Sequence, residues 1–245
     1  MNNVEKFIEE KLSLRKHLLF ALIDPEENID IKEKVTIIQK CDVDAILLGG
    51  STIADQITLD KSVQTIKRVT SLPVILFPGN ITGISPHADA ILFSSLLNSE
   101  DPYFLFGVQA LAAPIILKYN IEVIPMGYLI IGSGQTAGFV GRARSFPVNK
   151  PELVASYALA AGYLGMRYVY LEAGSGANEP ISPETVKAVR SVYSGKILVG
   201  GGIRSASTAA SLAKYGADII VVGNIIYESD FDLVLKDISK SVHEQ

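Results

Sequence analysis

GADIIVVGN (216–224) compresses the architecture into nine residues: a turn, four β-branched residues in a row, then glycine and asparagine. Three other stretches have the same form: DVDAILLGG (42–50), HADAILFSS (87–95) and GMRYVYLEA (165–173). Apolarity that is continuous rather than alternating marks a strand covered on both faces, as in parallel sheets. HLLFALID (17–24), PVILFPG (73–79), EVIPMGYLII (122–131) and KILVGG (196–201) fit the same template, making eight expected strands.

Helical stretches fill most of the gaps. Asp30 is an N-cap for IKEKVTIIQK, and Asp101-Pro102 opens a long helix that Pro114 bends. Pro151 suits the first turn of ELVASYALAAGYLG, while Ser182-Pro183-Glu184 and Ser205 mark two further starts. NITGISPHADA, between the third and fourth strands, is short and rich in Gly and Pro, so a short helix or a loop is expected there. The strands start at intervals of roughly 20 to 45 residues, the spacing of a (β/α)8 TIM barrel of about 250 residues. An open doubly wound sheet is the competing arrangement. With no domain break and no dinucleotide fingerprint, residues 1–245 read as a single α/β barrel domain.

Bulk properties narrow the function classes. The 245 residues are 48% apolar and carry a net charge of −4, with no basic tract, which argues against nucleic acid as a partner. The lone Cys41 excludes an internal disulfide and suits a reducing, cytoplasmic setting. MNNVEKFIEEKLSLRK is too charged for a signal peptide. The longest apolar run, IEVIPMGYLIIG, is interrupted by Glu122, Pro125 and Gly127 and is too short to span a membrane.

In a barrel the C-terminal ends of all strands share one rim, where active sites are built. The unusual residues collect there. GGGIRS (200–205) and VGN (222–224) follow strands seven and eight; their glycines let backbone N–H groups approach an anion, and the helix starting near Ser205 turns its positive end to the same place. The plainer reading is a pair of tight turns. Asp24, before Pro25, is either a turn device or, with Ser51 on the adjacent strand end, half of a Mg2+ site completed by substrate phosphates. Glu172 would lie beside the phosphate loops, able to accept hydrogen bonds from a hydroxylated ligand, to take a proton from one, or to form a salt bridge in the rim. His17, His87 and His243 fall at the wrong end, in a short loop and in the tail, and are read as structural or exposed.

These residues resemble the geranylgeranylglyceryl phosphate synthase family over nearly the whole chain. The resemblance is carried by ALIDP (21–25), LLGGST (47–52), LFPGN (76–80), AAP (112–114), the run KPELVASYALAAGYLGMRYVYLEAGSGA (150–177), VGGGIRS (199–205) and GADIIVVGN. YLEAGSGA is the specific part; GGGIR and GADIIVVGN are shared by many phosphate-binding barrels. The resemblance implies transfer of a geranylgeranyl group from its diphosphate to the 3-hydroxyl of sn-glycerol 1-phosphate, the first ether-forming step of archaeal phospholipid biosynthesis. It assigns Mg2+ to Asp24 and Ser51. It assigns glycerol phosphate to Tyr170, Leu171, Glu172, Ala173, Gly174, Ser175 and Gly176, with Gly201, Gly202, Gly223 and Asn224. Glu172 would orient the acceptor hydroxyls or act as base, and an apolar groove drawn from Leu92, Phe93, Tyr103, Phe104, Phe106 and Tyr128 would house the prenyl chain. One departure stands out: where the family carries a basic residue in a PRNKPE-like stretch, this chain has Val148, leaving Arg142, Arg144 or Lys150 as substitutes.

The rivals are a relative that transfers a longer heptaprenyl chain, a phosphosugar isomerase, and a non-catalytic phosphate-binding barrel. The isomerase is disfavoured because Asp24 has no obvious acidic counterpart in a matching strand. A homo-oligomer is expected, with ALAAGYLG (158–165) available either for subunit contact or for covering the barrel. A lipid product makes transient membrane-surface contact reasonable, although no amphipathic basic helix demands it.

Overall fold

The structure, a computed structural model, describes residues 4–27, 29–50 and 55–245. Eight parallel strands close into a barrel: β1 (Leu18–Ile23), β2 (Ala45–Leu48), β3 (Val74–Leu76), β4 (Ala90–Leu96), β5 (Glu122–Ile130), β6 (Tyr168–Glu172), β7 (Lys196–Gly200) and β8 (Ile219–Val222). Each coincides with one of the eight apolar runs. The helices are α1 (Val4–Arg15), α2 (Ile31–Ile38), α3 (Gln56–Val69), α4 (Val108–Tyr119), α5 (Gln135–Val140), α6 (Pro151–Tyr163), α7 (Pro183–Arg190), α8 (Ala206–Lys214) and α9 (Phe231–His243).

The expected helix starts are present. Asp30, Ser182 and Ser205 accept the amides of Glu33, Thr185 and Thr208, and Pro151 occupies the first turn of α6. Between β3 and β4 there is only a 3₁₀ turn, Ile81–Gly83. The long helix expected from Asp101-Pro102 comes in two parts, a π-helical turn Tyr103–Gly107 and then α4, which runs on through Pro114. Two elements were not anticipated. The short α5 sits inside the glycine-rich stretch after β5, and the charged N-terminal stretch forms α1.

α1 closes the N-terminal mouth of the barrel. Val4 and Ile8 join the lumen cluster with Leu18 and Phe20, and the amides of Val4 and Glu5 donate to the Glu122 carboxylate at 2.6 and 2.9 Å. A carboxylate at a helix N-terminus meets unpaired N–H groups and the positive end of the dipole.

Along each strand the side chains alternate between two apolar environments. Leu18, Phe20, Ala45 and Leu47 fill the lumen, whereas Leu19, Ala21, Ile46 and Leu48 pack under the helices. Because both faces are buried, the period of two leaves no polar trace in the sequence.

The repeated segments turn out to be β2, β4, β6 and β8, and their shared aspartate has one structural job. Asp44 donates its amide to the Leu19 carbonyl at 2.9 Å while its side chain accepts the Leu19 amide at 3.0 Å. Asp89 does the same to Val74, at 3.0 and 2.9 Å, and Asp218 to Ile197, at 2.9 and 2.7 Å. Each aspartate therefore caps the start of the preceding strand. In the third copy the position is Arg167, which instead pairs with Glu5 of α1 at 2.7 Å.

Candidate active site at the C-terminal rim

Counting on by twos from the lumen residues of β1, β5 and β6 leads to Asp24, Tyr128 and Glu172 at the C-terminal rim. Tyr168 and Tyr170 point into the lumen, so Glu172, next in the series, does too. Beneath it lie three aromatic rings. Phe77 stacks on Tyr170 with centroids 5.1 Å apart, and Tyr128 meets both edge-on at 5.3 and 5.4 Å.

Glu172 is 5% exposed. Its carboxylate accepts the Gly174 amide at 2.7 Å and the Tyr128 hydroxyl at 3.3 Å, and it is also hydrogen-bonded to the Tyr170 phenol. No described basic side chain pairs with it, so the salt-bridge reading of this residue is not realised. Burial pushes its carboxyl up to about 6, while the amide and the two phenols pull the other way by bonding the charged form. Such a group is ionised at neutral pH yet basic enough to share a proton. Gly201 makes room for it: its φ of +86° disfavours any side chain, and a Cβ there would lie 2.6 Å from Glu172 Oε1.

Two cavities meet at this carboxylate. The smaller, about 40 Å³, is a cup in which Glu172, Ser175, Arg204, Asn224 and the glycines Gly201, Gly202 and Gly223 meet apolar residues such as Leu22 and Val221. Asn224 Oδ1 accepts the Gly176 amide at 2.9 Å and the Ser175 hydroxyl at 3.0 Å, tying the loop after β6 to the loop after β8. Arg204 Nη1 donates to the Ala177 carbonyl at 2.9 Å, tying the same loop to the one after β7. The cup therefore gathers glycine backbone beside the start of α8, the arrangement that suits a phosphate.

The larger cavity, about 190 Å³, is a cleft with an apolar wall that shares Leu22, Glu172, Ser175, Gly223 and Asn224 with the cup. Of the six residues expected to house a hydrocarbon chain, Leu92, Phe93, Phe104 and Tyr128 line it. Tyr103 instead packs edge-on against Phe104 at 5.1 Å, and Phe106 points outward, 74% exposed. More of the wall comes from α4 and α5, notably Ala112, Ile116 and Val140, and from Phe77, Ile84 and Ile91.

Asp24 and Glu27 stand on the same cleft. Asp24 Oδ1 accepts the Glu26 amide at 3.0 Å, and its own amide donates to the Tyr227 hydroxyl at 2.8 Å. Desolvation raises the Asp24 carboxyl above its ordinary value; the amide bond opposes this, and Glu26 and Glu27 add to it. The charges it feels are thus acidic, an uncompensated negative site of hard oxygens. Among the described residues no group of three or more His, Cys, Asp or Glu forms a metal cluster. Magnesium needs none, because it keeps waters and is commonly held by one or two carboxylates and substrate oxygens. The residues present fit that ion, with Ser51 outside the described residues.

The remaining assigned residues contribute through backbone shape. Leu171 packs under the helices, and Ala173, Gly174 and Gly176 form the turn that brings Ser175 to both cavities. His17 bonds the Ala217 carbonyl at 2.8 Å and His243 bonds Asp44 at 2.8 Å, both at the opposite end; His87 is exposed. Val148 is 60% exposed, and no Lys or Arg lines the cleft among the described residues. Tyr227 and the clamping role of Arg204 escaped the sequence reading. Arg204 sits inside GGGIRS, where the glycines carry the phosphate reading, and nothing in NIIYE distinguishes Tyr227 from a core tyrosine.

Comparison with known proteins agrees with this geometry. The PcrB family matches residues 7–242. The chain is 49% identical over 243 residues to the geranylgeranylglyceryl phosphate synthase of Nitrosopumilus maritimus, covering 98% of this chain and 97% of that protein. It is 52% identical over 228 residues to the enzyme of that name from Pyrococcus horikoshii, covering 92% and 89%. The crystal structure of the Thermoplasma acidophilum (S)-3-O-geranylgeranylglyceryl phosphate synthase in complex with sn-glycerol-1-phosphate superposes with a TM-score of 0.92 at 38% identity, covering 97% of this chain and 98% of that one. On the match along almost its full length, the chain belongs to the PcrB family.

Proposed function

We infer that the chain is a geranylgeranylglyceryl phosphate synthase, joining the geranylgeranyl group of its diphosphate to the 3-hydroxyl of sn-glycerol 1-phosphate with release of diphosphate. The observation that carries this reading is the position of Glu172, where a small glycine-lined cup meets a larger apolar cleft. A reaction that joins a phosphorylated alcohol to a hydrocarbon needs that junction.

The cup holds the acceptor by its phosphate on the amides after β7 and β8. That anchoring directs the glycerol hydroxyls toward Glu172 and reduces the freedom lost on reaching the reactive geometry. Glu172 orients the terminal hydroxyl and takes its proton as the new C–O bond forms. Tyr128 and Tyr170 keep the carboxylate ionised and aimed. The cleft shields the prenyl chain and keeps water from competing with the acceptor. Asp24 and Ser51 are the residues that would hold Mg2+, which when bound neutralises the charge gathering on the departing diphosphate.

A cytoplasmic setting belongs to the proposal on the single cysteine, and no described helix is long and apolar enough to cross a membrane. So does a homo-oligomer: Leu153, Tyr157, Tyr163 and Leu164 leave an exposed apolar face around α6. The decisive test is incubation with Mg2+, labelled sn-glycerol 1-phosphate and geranylgeranyl diphosphate. Formation of the labelled ether is expected, and its absence would defeat the reading. A series of prenyl diphosphates distinguishes the longer-chain rival, since a clear preference for a heptaprenyl donor would replace the assignment.

A further inference from the structure

A diphosphate brings several negative charges to a cleft that, among the described residues, has no Lys or Arg in its lining. Hydrogen-bond donors must therefore share the load, and several in the cleft are already committed. Tyr128 gives its proton to Glu172, Ser175 gives its own to Asn224, and Gln109 donates its amide group to the carbonyls of Ser94 and Phe104 at 2.6 and 3.1 Å. Tyr227 is different. Its oxygen accepts the Asp24 amide at 2.8 Å, and an oxygen used as an acceptor keeps its own O–H to donate. The Asp24 carboxylate is bonded to the Glu26 amide instead, and no described group takes the phenol proton.

Its position is equally specific. Tyr227 ends the 3₁₀ turn Asn224–Tyr227 that begins at the phosphate loop, and its phenol crosses the seam between β8 and β1 to reach Asp24. It thus stands on the cleft between the acceptor's anchor and the carboxylate assigned to the metal. We propose that Tyr227 donates a hydrogen bond to the diphosphate of the prenyl donor and strengthens that bond as the leaving group departs. The proposal rests on the synthase reading above.

In the step itself the bond between prenyl C1 and the bridging oxygen breaks, and its electron pair stays on the diphosphate. The acceptor oxygen bonds C1, and its proton goes to Glu172. The Tyr227 proton remains on the phenol throughout. Because the oxygens it meets gain charge in the transition state, its hydrogen bond favours that state over the ground state.

The test compares wild type with Tyr227→Phe in turnover and in competition by inorganic diphosphate. A hydrogen bond to a charged group predicts a fall of roughly 10- to 100-fold in kcat/KM for the donor. Inhibition by inorganic diphosphate should weaken as well, with the KM for sn-glycerol 1-phosphate unchanged and the melting temperature lowered only by loss of the acceptor for the Asp24 amide. A raised acceptor KM, or diphosphate inhibition equal to wild type, would overturn the assignment. Incorporation of 3-fluorotyrosine at 227 separates the two roles of the phenol, because fluorine makes it a better donor and a poorer acceptor. Turnover at or above wild type is expected; a loss as deep as that of Tyr227→Phe would leave Tyr227 only as the acceptor holding the Asp24 amide. If wild type forms no ether, the synthase reading fails by itself, and calorimetric binding of inorganic diphosphate to the same two proteins still decides Tyr227.

Discussion

The two ends of the barrel use carboxylates in opposite ways. At the N-terminal end Asp44 is 1% exposed and meets the Leu19 amide, Arg15, Lys11 and His243; Asp89 meets Val74 and Lys67; Asp218 meets Ile197 and Arg190. At the C-terminal end Glu172 and Asp24 bond to amides and phenols, and no described cation neutralises them. Charge that is balanced within the chain holds the fold. Charge left unbalanced in a cavity is there for something the chain does not contain.

The sharpest way to break this contrast is Glu172→Gln. Loss of a base should lower kcat by about 10²- to 10⁴-fold. Stability should move the other way. The Glu172 carboxyl is raised from an ordinary 4.5 to about 6, so the neutral form suits the fold, and that advantage, about 2 kcal/mol, is present below the unfolded value and lost as pH rises through about 6. In alkaline buffer the Gln variant should therefore unfold at higher denaturant than wild type, and in acid the difference should vanish. A variant that is both active and no more stable would remove Glu172 from the unbalanced class.

Asp44→Ala should do the reverse, lowering stability by about 3 kcal/mol because the Leu19 amide and its basic neighbours lose a buried charged partner. Turnover per folded molecule should hold, and a drop in kcat at temperatures well below the melting point would show that the two ends are coupled. Asp24→Asn is expected to raise the Mg2+ concentration needed for half-maximal rate roughly tenfold with little change in melting temperature; indifference to the substitution would end the metal assignment. The smallest effect is Tyr128→Phe. It removes one donor to the charged form of Glu172, so the acid limb of the pH–rate profile should shift upward by about half a unit. A downward shift would contradict the geometry.

All eight strands were legible, because a parallel strand buried on both faces is a plain apolar run closed by glycine or a polar residue. The capped helices were legible for a similar reason: Asp30, Ser182 and Ser205 act within three residues of themselves. α1 was not, since its apolar residues Val4, Phe7, Ile8 and Leu12 are scattered among charges and its docking depends on Glu122, more than a hundred residues away. In the site, Asp24, Glu172 and the glycine loops announced themselves by standing at strand ends. Tyr128 read as hydrophobic wall because only the fold reveals that its hydroxyl reaches Glu172. Phe106 misled for the complementary reason: a π-helical turn rotated it outward, and no residue in YFLFG signals the extra residue in that turn.

The aspartate fastenings bear on the order in which the chain assembles. Leu19 and Asp44 are 25 residues apart, Val74 and Asp89 are 15, and Ile197 and Asp218 are 21. Each loop is short enough to close early, whereas the contact between β1 and β8 must wait for the whole chain. The barrel is thus predicted to form from two-strand units, with the seam beside the active site joining last. Pulse-labelled amide exchange during refolding measures this directly: the amides of Leu19, Val74 and Ile197 should become protected before those that pair β8 with β1, and simultaneous protection would mean that the units have no independent existence.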